Sequence, residues 1–323
     1  MLAIQATKAG GPEVLAAVEI DTPAPGPGQI LIRQQAAGLN FIDTYQRSGL
    51  YPMSYPAVLG QEGAGVVEAI GEGVTRFAVG DLAGYGLGGL GGYAEAKVID
   101  QGRAVKLPAG VDARVAAASL LKGMTAEFLI RRCCPVVAGD TILVHAAAGG
   151  VGLILAQWGK AIGARVIGTA GSEAKAELAL ANGCESVILY DHEDVAKRVR
   201  ELTDGAGVRV VYDGVGAATL EGSLGSLARR GLLATYGNAS GPAPPVSPLQ
   251  LMRGGSLFLT RPTLGDYVAT TDELDDSAAA LFAHIASGAV KIAIGAEYPL
   301  AEARAAHEAL EARKTTGSTL LIP

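Results

Sequence analysis

Small residues follow an apolar segment in the middle of the chain and favour close approach of the backbone to a phosphate group. Residues 141–144 read TILV, residues 145–152 read HAAAGGVG, and the apolar run from Leu153 predicts a helix. The spacing is A-x-x-G-x-x-G rather than the commoner G-x-G-x-x-G. A strand, a small-residue turn and a helix N-terminus bind a pyrophosphate through exposed N–H groups. We predict a dinucleotide site here, and a plain tight turn is the alternative.

The second predicted strand, 164–169, ends without a carboxylate, and this bears on the cofactor. An acid at this place accepts the ribose hydroxyls of NAD(H), about 20 residues after the turn. This chain continues with Ala170, Gly171 and Ser172, and Lys175 lies just beyond. A lysine near a helix N-terminus attracts a 2′-phosphate. We therefore expect NADP(H), the alternative being that Lys175 is a solvated helix residue.

Short apolar runs alternate with helical patterns around the turn. This alternation predicts an α/β domain with a doubly wound parallel sheet, the Rossmann type, over residues 123–265. Its predicted strands are 141–144, 164–169, 186–190, 208–213 and 231–236, with 256–260 as a further edge strand.

Short strands with glycine-rich turns in residues 1–122 predict a mainly antiparallel, partly closed β-barrel. Residues 266–323 contain two helical patterns, 274–287 and 300–313, and a final strand at 319–322. We expect this tail to fold back onto the first domain.

Composition argues against several other functions. The chain has 26 basic and 32 acidic residues and no basic run, so nucleic acid is not an expected partner. No segment has the ~18 apolar residues of a membrane span, and the N-terminus lacks a signal-peptide pattern. Cys133, Cys134 and Cys184 do not suggest a disulfide framework, so we expect a cytoplasmic protein.

Eight short segments combine into a specific pattern. They are GPEVL at 11–15, GLNFIDTY at 38–45, RSGLYP at 47–52, KGMTA at 122–126, the turn at 145–152, VYDGVG at 211–216, GNASG at 237–241 and GSTLLIP at 317–323. With them the chain resembles the zinc-independent medium-chain dehydrogenases/reductases of the quinone oxidoreductase (zeta-crystallin-like) group, nearly end to end. The resemblance implies a GroES-like catalytic domain beside the Rossmann domain, NADPH as the cofactor, a small quinone as the substrate, and a homodimer.

Zinc ligands are missing where zinc-dependent relatives carry them. Asn40 lies at the place of a cysteine ligand, and Gln61 at that of the histidine in a Gly-His-Glu turn. The region of the relatives' four-cysteine zinc lobe is glycine-rich here and contains no cysteine. Since a zinc site needs three or four ligands around one point, we expect no metal.

The resemblance implies that Asn40, Tyr45 and Tyr51 line the active site beside the nicotinamide. One amide and two phenols offer hydrogen bonds to a quinone oxygen. A quinone accepts hydride readily, so no obligatory general acid is expected, and Tyr51 is the better candidate if one exists. The alternative is that the tyrosines pack on the core with exposed hydroxyls.

The resemblance also implies the cofactor contacts. Gly149, Gly150, Val151 and Gly152 would hold the pyrophosphate. Lys175 and Arg313 would bind the 2′-phosphate, although a cation near the end of the last helix also complements the helix dipole. The other expected contacts are Ser172, Tyr190 beside the adenosine, Asn238, Leu259 and Thr260 on the ribose and carboxamide side, and Thr125 in the KGMT turn. His145, at a buried strand end, is expected to be structural.

The function expected first is an NADPH-dependent quinone reductase, and the second is a reductase of alkenal or enone C=C bonds. A structural or RNA-binding role is a third possibility, disfavoured for RNA by the net charge of −6. The strand at 256–260 is a candidate edge for dimer formation.

Overall fold

The computed structural model describes all 323 residues, Met1–Pro323, and divides them into two compact units. The first comprises Met1–Met124, Tyr267–Ala286 and Ile292–Pro323, and the second comprises Thr125–Asp266 and Ser287–Lys291. The sequence-based boundaries assign residues 287–291 to the tail. In the structure this segment lies in the second unit, where the Gln157 amide bonds the backbone O and N of Lys291 at 3.1 and 2.8 Å.

The N-terminal segment is mostly strand. Its strands are β1 (Leu2–Ala6), β2 (Leu15–Glu19), β3 (Gln29–Leu39), β4 (Ala57–Val58), β5 (Glu62–Ile70), β6 (Leu82–Gly86), β7 (Ala96–Asp100) and β8 (Val105–Lys106). Its helices are α1 (Phe41–Ser48) and α2 (Ala113–Phe128), and a single wider helical turn, Leu129–Cys133, continues α2.

The middle of the chain alternates strands and helices. Its strands are β9 (Thr141–Val144), β10 (Arg165–Ala170), β11 (Ser186–Leu189), β12 (Val208–Asp213), β13 (Leu227–Thr235) and β14 (Phe258–Thr260). Its helices are α3 (Gly150–Ile162), α4 (Glu173–Ala181), α5 (Val195–Leu202), α6 (Leu220–Ser226), α7 (Pro248–Arg253) and α8 (Leu264–Tyr267).

The C-terminal segment contains α9 (Thr271–Ala286), β15 (Ile294–Pro299), α10 (Ala303–Glu311) and β16 (Ser318–Ile322). β16 pairs antiparallel with β3, so the tail returns to the sheet of the N-terminal segment. The predicted helix 300–313 is shorter than expected, because a 3-10 turn at Leu300–Glu302 precedes α10 and Arg313 lies beyond it.

The second unit contains one six-stranded parallel sheet with the order β11-β10-β9-β12-β13-β14. Numbered along the sheet, this is the 3-2-1-4-5-6 order of a dinucleotide-binding fold. Its interior is apolar, with Leu143, Ile167 and Val211 fully buried. The predicted doubly wound sheet is confirmed, but β13 begins at Leu227 rather than at 231, with a register irregularity between Val208 and Val210 of its neighbour β12.

The first unit has a mainly antiparallel sheet of seven strands, ordered β15-β16-β3-β5-β6-β8, with β7 paired to β3. A smaller sheet has the order β2-β1-β4. The long strand β3 lies between β16 and β5, so its C-terminal end is fixed from both sides before α1 begins. No helix in the structure is both long enough and apolar enough to cross a membrane.

Candidate functional site

The small-residue turn lies between β9 and α3 in the second unit. Gly149 is the extended residue before α3, and Ala146 has a left-handed backbone, with φ of 50°. A Cβ atom at Gly152 would collide with the Ala146 carbonyl oxygen and lie 2.8 Å from the Ala147 Cα. Only glycine therefore lets the helix start pack against the turn. The first N–H groups of α3 have no partners within the helix and form a cradle suited to a pyrophosphate.

Polar side chains at the ends of β10 and β11 form the neighbouring part of this edge. The Ser172 hydroxyl caps α4 by accepting from the Lys175 N–H at 3.4 Å, so half-buried Lys175 lies in the first helical turn. A Cβ at Gly171 would lie 2.9 Å from the Tyr190 Cζ, so the Tyr190 ring covers this backbone. The structure thus brings Ser172, Lys175 and Tyr190 together, with no acidic residue in β10 or at 171–172.

The remaining predicted cofactor residues of the second unit lie on different elements. Asn238 is half-buried and follows β13, whereas Leu259 and Thr260 belong to β14 and pair in register with Leu233 and Ala234. Thr125 is buried within α2, so its predicted position in a turn is wrong. The helix runs through Gly123, where the Leu281 side chain fills the space that a Cβ would need.

His145 lies beneath the turn and is fully enclosed. Its Nδ1 lies 3.0 Å from the Thr169 hydroxyl and its Nε2 lies 3.0 Å from the Ser223 hydroxyl. Ser223 donates to Asp213 at 2.7 Å, so it accepts from Nε2–H of the imidazole. Burial lowers the pKa of His145 below its usual value, which keeps the ring neutral. This geometry agrees with the expected structural role.

Asp213 is an organising residue of this edge that sequence reasoning did not single out. Its buried carboxylate accepts from the N–H groups of Val215 and Gly216 at 2.8 and 3.0 Å. It also accepts from the hydroxyls of Thr219 and Ser223 at 2.7 Å each. One side chain therefore fixes both the loop after β12 and the start of α6. The VYDGVG segment that contains it was a signal for this role.

Asn40 joins β3 to α1 in the first unit. Its backbone N–H donates to the Asp43 Oδ2 at 2.9 Å, which is one arm of a capping arrangement. Its side-chain Nδ2 donates to the Glu62 Oε2 at 2.8 Å and to the Gly38 carbonyl at 3.2 Å. Both amide hydrogens of Asn40 are therefore already engaged within the protein.

The two predicted tyrosines lie on and just after α1. Tyr45 is buried and Tyr51 half-buried, and their rings meet edge to face with centroids 5.3 Å apart. The Tyr51 N–H donates to the Tyr45 carbonyl at 3.0 Å. The structure thus brings Asn40, Tyr45 and Tyr51 into one local cluster around α1.

A buried polar chain extends from this cluster to the C-terminal helix. The Tyr93 hydroxyl donates to Asp43 Oδ2 at 2.8 Å and lies 3.2 Å from the His307 Nε2. Arg47 approaches the His307 Nδ1 at 3.0 Å and pairs with Glu311 at 2.6 Å. Because Arg47 can only donate, His307 accepts at Nδ1 and carries its proton on Nε2. Sequence reasoning missed this chain entirely.

Burial shifts the titration of two members of the chain. It raises the pKa of Asp43 to about 7, although the hydrogen bonds from Tyr93 and Asn40 act in the opposite direction. It lowers the pKa of His307 to about 3, and the nearby Arg47 charge adds to this shift. The Oδ1 atom of Asp43 is buried with no hydrogen-bond partner, so the carboxyl is under-satisfied.

Arg313 belongs to the first unit, whereas the other predicted cofactor residues belong to the second. It is exposed and follows α10 with a left-handed backbone, φ of 56°, rather than lying in the last helical turn. No group of three or more His, Cys, Asp or Glu side chains is arranged to hold a metal ion.

A Rossmann-type unit with a glycine cradle, together with a GroES-like unit, defines a medium-chain dehydrogenase/reductase. The alcohol dehydrogenase GroES-like domain model matches residues 26–109, and the zinc-binding dehydrogenase model matches residues 150–283. The chain is 51% identical over 321 residues to a quinone oxidoreductase of Pseudomonas aeruginosa, covering 99% of each chain. The chain belongs to the quinone oxidoreductase family of the medium-chain dehydrogenases/reductases.

Two further similarities bear on the ligand. The crystal structure of Escherichia coli quinone oxidoreductase complexed with NADPH superposes with a TM-score of 0.98 at 47% identity and covers 100% of both chains. A 2-haloacrylate reductase from Burkholderia sp. is 42% identical over 323 residues, covering 98% of this chain and 97% of that protein.

Proposed function

We propose that this protein is an NADPH-dependent reductase of small quinones. The observation that carries the proposal is the full-length similarity to quinone oxidoreductases, including one crystallised with NADPH. The second unit fits this cofactor: Gly152 keeps the cradle open, and the end of β10 offers Lys175 and no acid. Bound NADPH would supply the hydride.

The cofactor contacts follow from the residues at this edge. The backbone of Gly149, Gly150, Val151 and Gly152 holds the pyrophosphate. Lys175, fixed by the Ser172 cap, binds the 2′-phosphate, and Tyr190 lies beside the adenosine. Asn238, Leu259, Thr260 and Thr125 complete the ribose and nicotinamide contacts.

The substrate contacts in this proposal come from the cluster around α1. Tyr45 and Tyr51 provide phenol groups and ring faces for a quinone, and water completes its protonation. We call the side of the substrate site formed by Asn40, Tyr45 and Tyr51 the substrate wall. Because both amide hydrogens of Asn40 are engaged with Glu62 and Gly38, Asn40 serves mainly to shape this wall. The ligand positions of zinc-dependent relatives are taken by Asn40 and Gln61, so the proposed reaction uses no zinc. A chelator is expected to leave activity unchanged.

A second candidate is the reduction of activated C=C bonds. It is supported by the 42% identity to a 2-haloacrylate reductase. The same cofactor site would serve both reactions, and the substrate wall would decide between them.

Steady-state NADPH oxidation with 1,4-benzoquinone, run beside NADH and beside an enone, tests both candidates. Turnover with NADPH and quinone is the expected result, with the uncatalysed rate subtracted. Enone turnover without quinone turnover would support the second candidate function, the reduction of activated C=C bonds. NADPH binding without turnover of either substrate would contradict both.

We also propose a homodimer in the reducing cytoplasm. The edge strand β14 carries Phe258 and Leu259, which are 60% and 37% exposed, and Met252 nearby in sequence is 58% exposed. Such an edge favours pairing with a second copy. Light scattering after size exclusion is expected to give twice the chain mass, and a monomer at micromolar concentration would contradict the dimer. None of the three cysteines forms a disulfide, as expected in a reducing compartment.

A further inference from the structure

A buried ion pair lies directly behind Asn40. Glu62, the first residue of β5, is fully buried, and its Oε2 lies 2.8 Å from the Lys122 Nζ. Lys122 belongs to α2 and is itself 6% exposed. A buried ion pair contributes little net stability over an apolar pair of similar volume, because both charges lose their hydration. Net stability therefore does not explain why the Glu62–Lys122 pair is buried here.

Both carboxylate oxygens of Glu62 accept hydrogen bonds, three in all. Oε1 accepts from the Leu121 N–H at 2.7 Å, and Oε2 accepts from both Lys122 Nζ and Asn40 Nδ2 at 2.8 Å each. Gly38 faces Glu62 in the β3–β5 register, and a Cβ at Gly38 would lie 2.7 Å from the Glu62 Cδ. The carboxylate thus reaches Asn40 only because residue 38 has no side chain.

The Glu62 charge determines how the Asn40 amide is turned. The amide presents Nδ2 to the carboxylate, since the reverse orientation would place the Oδ1 carbonyl against negative charge. On its other side, the Asn40 backbone N–H is bound by Asp43. Asn40 is therefore clamped between two carboxylates, and Lys122 is the cation bonded to Glu62.

We propose that Glu62 and Lys122 are positioning residues that orient Asn40 at the substrate wall. The Lys122 ammonium compensates the Glu62 carboxylate, and the carboxylate fixes the Asn40 amide and with it the start of α1. This inference rests on the proposed function, because the place of Asn40 beside the substrate is itself part of that proposal.

The test compares K122M and the double variant E62Q/K122M with the wild type. K122M leaves the buried carboxylate without its cation, and we expect kcat for 1,4-benzoquinone to fall between about tenfold and a hundredfold, the scale of a small misplacement of a reacting group. We expect the dissociation constant of NADPH to change less than twofold, which a general loss of structure would not allow. In E62Q/K122M no buried charge is left unpaired, and the single carbonyl oxygen at position 62 can still accept from Asn40 while the Leu121 N–H loses its partner. We therefore expect kcat to recover to within threefold of the wild type.

K106M is the matched control, because Lys106 pairs with Asp81 at 2.7 Å in the same unit but is 58% exposed. It is expected to keep the wild-type kcat. A double variant that stays as slow as K122M would mean that the Lys122 ammonium acts on the substrate itself and would overturn the positioning role. Wild-type kcat in K122M would also overturn it. If K122M does not fold, the charge-neutral double variant decides alone, and a loss of kcat in it contradicts the proposal.

A readout without turnover separates this inference from the proposed function. The side-chain amide signals of Asn40, assigned by their loss in N40D, are measured by ¹H–¹⁵N NMR. We expect them to shift in K122M and not in K106M. If the wild type reduces no quinone, the proposed function fails while this shift still supports positioning. If the signals do not shift in K122M, positioning fails whatever the substrate.

Discussion

The cradle of the second unit and the α1 cluster of the first unit are built in different ways. The cradle consists of backbone and small residues, with Gly152 seated against the Ala146 carbonyl and neutral His145 below. The α1 cluster is held by buried charged groups: Asp43 and Arg47 lie on α1 itself, and Glu62 and Lys122 come from later elements of the chain.

This difference separates two kinds of requirement. A pyrophosphate is bound by N–H groups, so a cradle needs shape and the absence of Cβ atoms more than it needs charge. A substrate wall needs polar groups in fixed orientations, and these are maintained here by ion pairs and hydrogen bonds that leave few alternatives. Added side-chain volume should therefore impair the cradle, whereas the loss of a single charge should impair the α1 cluster.

The largest effect is expected from R47M. Arg47 is 2% exposed and donates to Gly10 O, His307 Nδ1 and Glu311, all of which would lose a partner. Breaking a buried pair in this way costs about 3–5 kcal/mol, and the lower end applies because Glu311 is 36% exposed. Urea unfolding measures the change. R304M breaks an exposed pair on α10 and should cost at most about 0.5 kcal/mol. Equal losses in the two variants would show that burial of the Arg47 side chain adds nothing to the stability of its ion pair.

G152V tests the volume requirement of the cradle. The added side chain would meet the Ala146 carbonyl and the Ala147 Cα, so we expect strain of about 1–3 kcal/mol and loss of NADPH binding. G265A is the control, because a Cβ at Gly265 has no neighbour within 4 Å. Calorimetric titration with NADPH checks both variants. Unchanged affinity in G152V would show that the cradle tolerates a side chain.

K175A tests the one electrostatic contact proposed beside the cradle, that of Lys175 with the 2′-phosphate. Loss of a charge-assisted hydrogen bond should weaken NADPH binding by about 1.5–3 kcal/mol and leave NADH binding almost unchanged. The exposed Lys160, at the far end of α3, supplies the control K160A. Equal weakening of both cofactors in K175A would disprove the contact with the 2′-phosphate.

The last prediction concerns the pH dependence of stability that arises from His307 and Asp43 in the buried polar chain. Folded His307 binds a proton only near pH 3, whereas an unfolded histidine does so near 6.5, so the unfolded chain binds more protons between these values. Stability from neutral His307 is therefore lost as the pH falls, by at most about 1.4 kcal/mol per pH unit. Asp43 acts in the opposite direction, because its raised folded pKa removes stability as the pH rises from 3.8 to about 7.

The variant H307Q isolates the histidine part of this balance. Its destabilisation relative to the wild type should shrink as the pH is lowered from 6.5 to 4.5, measured by urea unfolding at each pH. H192Q, at an exposed histidine, should stay within about 0.5 kcal/mol of the wild type throughout. A constant difference for H307Q would mean that folding does not lower the pKa of His307.

Periodicity and small residues predicted the parallel sheet, its order of elements and the place of the cradle. Those signals are local, since a strand, a turn and a helix start are encoded within about 20 residues. Element ends were less predictable: Arg313 lies past α10, and Thr125 lies inside a helix whose Gly123 accommodates Leu281. In both cases a tertiary contact or a backbone conformation, rather than the pattern of residue types, set where the residue lies relative to the helix.

The sequence by itself determined the family, the two-domain plan, the expectation of NADPH and the place of the turn, because each depends on residue types in short segments. Only the tertiary structure decided that Arg47 meets Glu311 and that Lys122 meets Glu62 behind Asn40. These partners are 264 and 60 residues apart. A charged residue carries no local sign of its distant partner, and the burial of Arg47, Glu62 and Lys122 is what makes these pairings necessary.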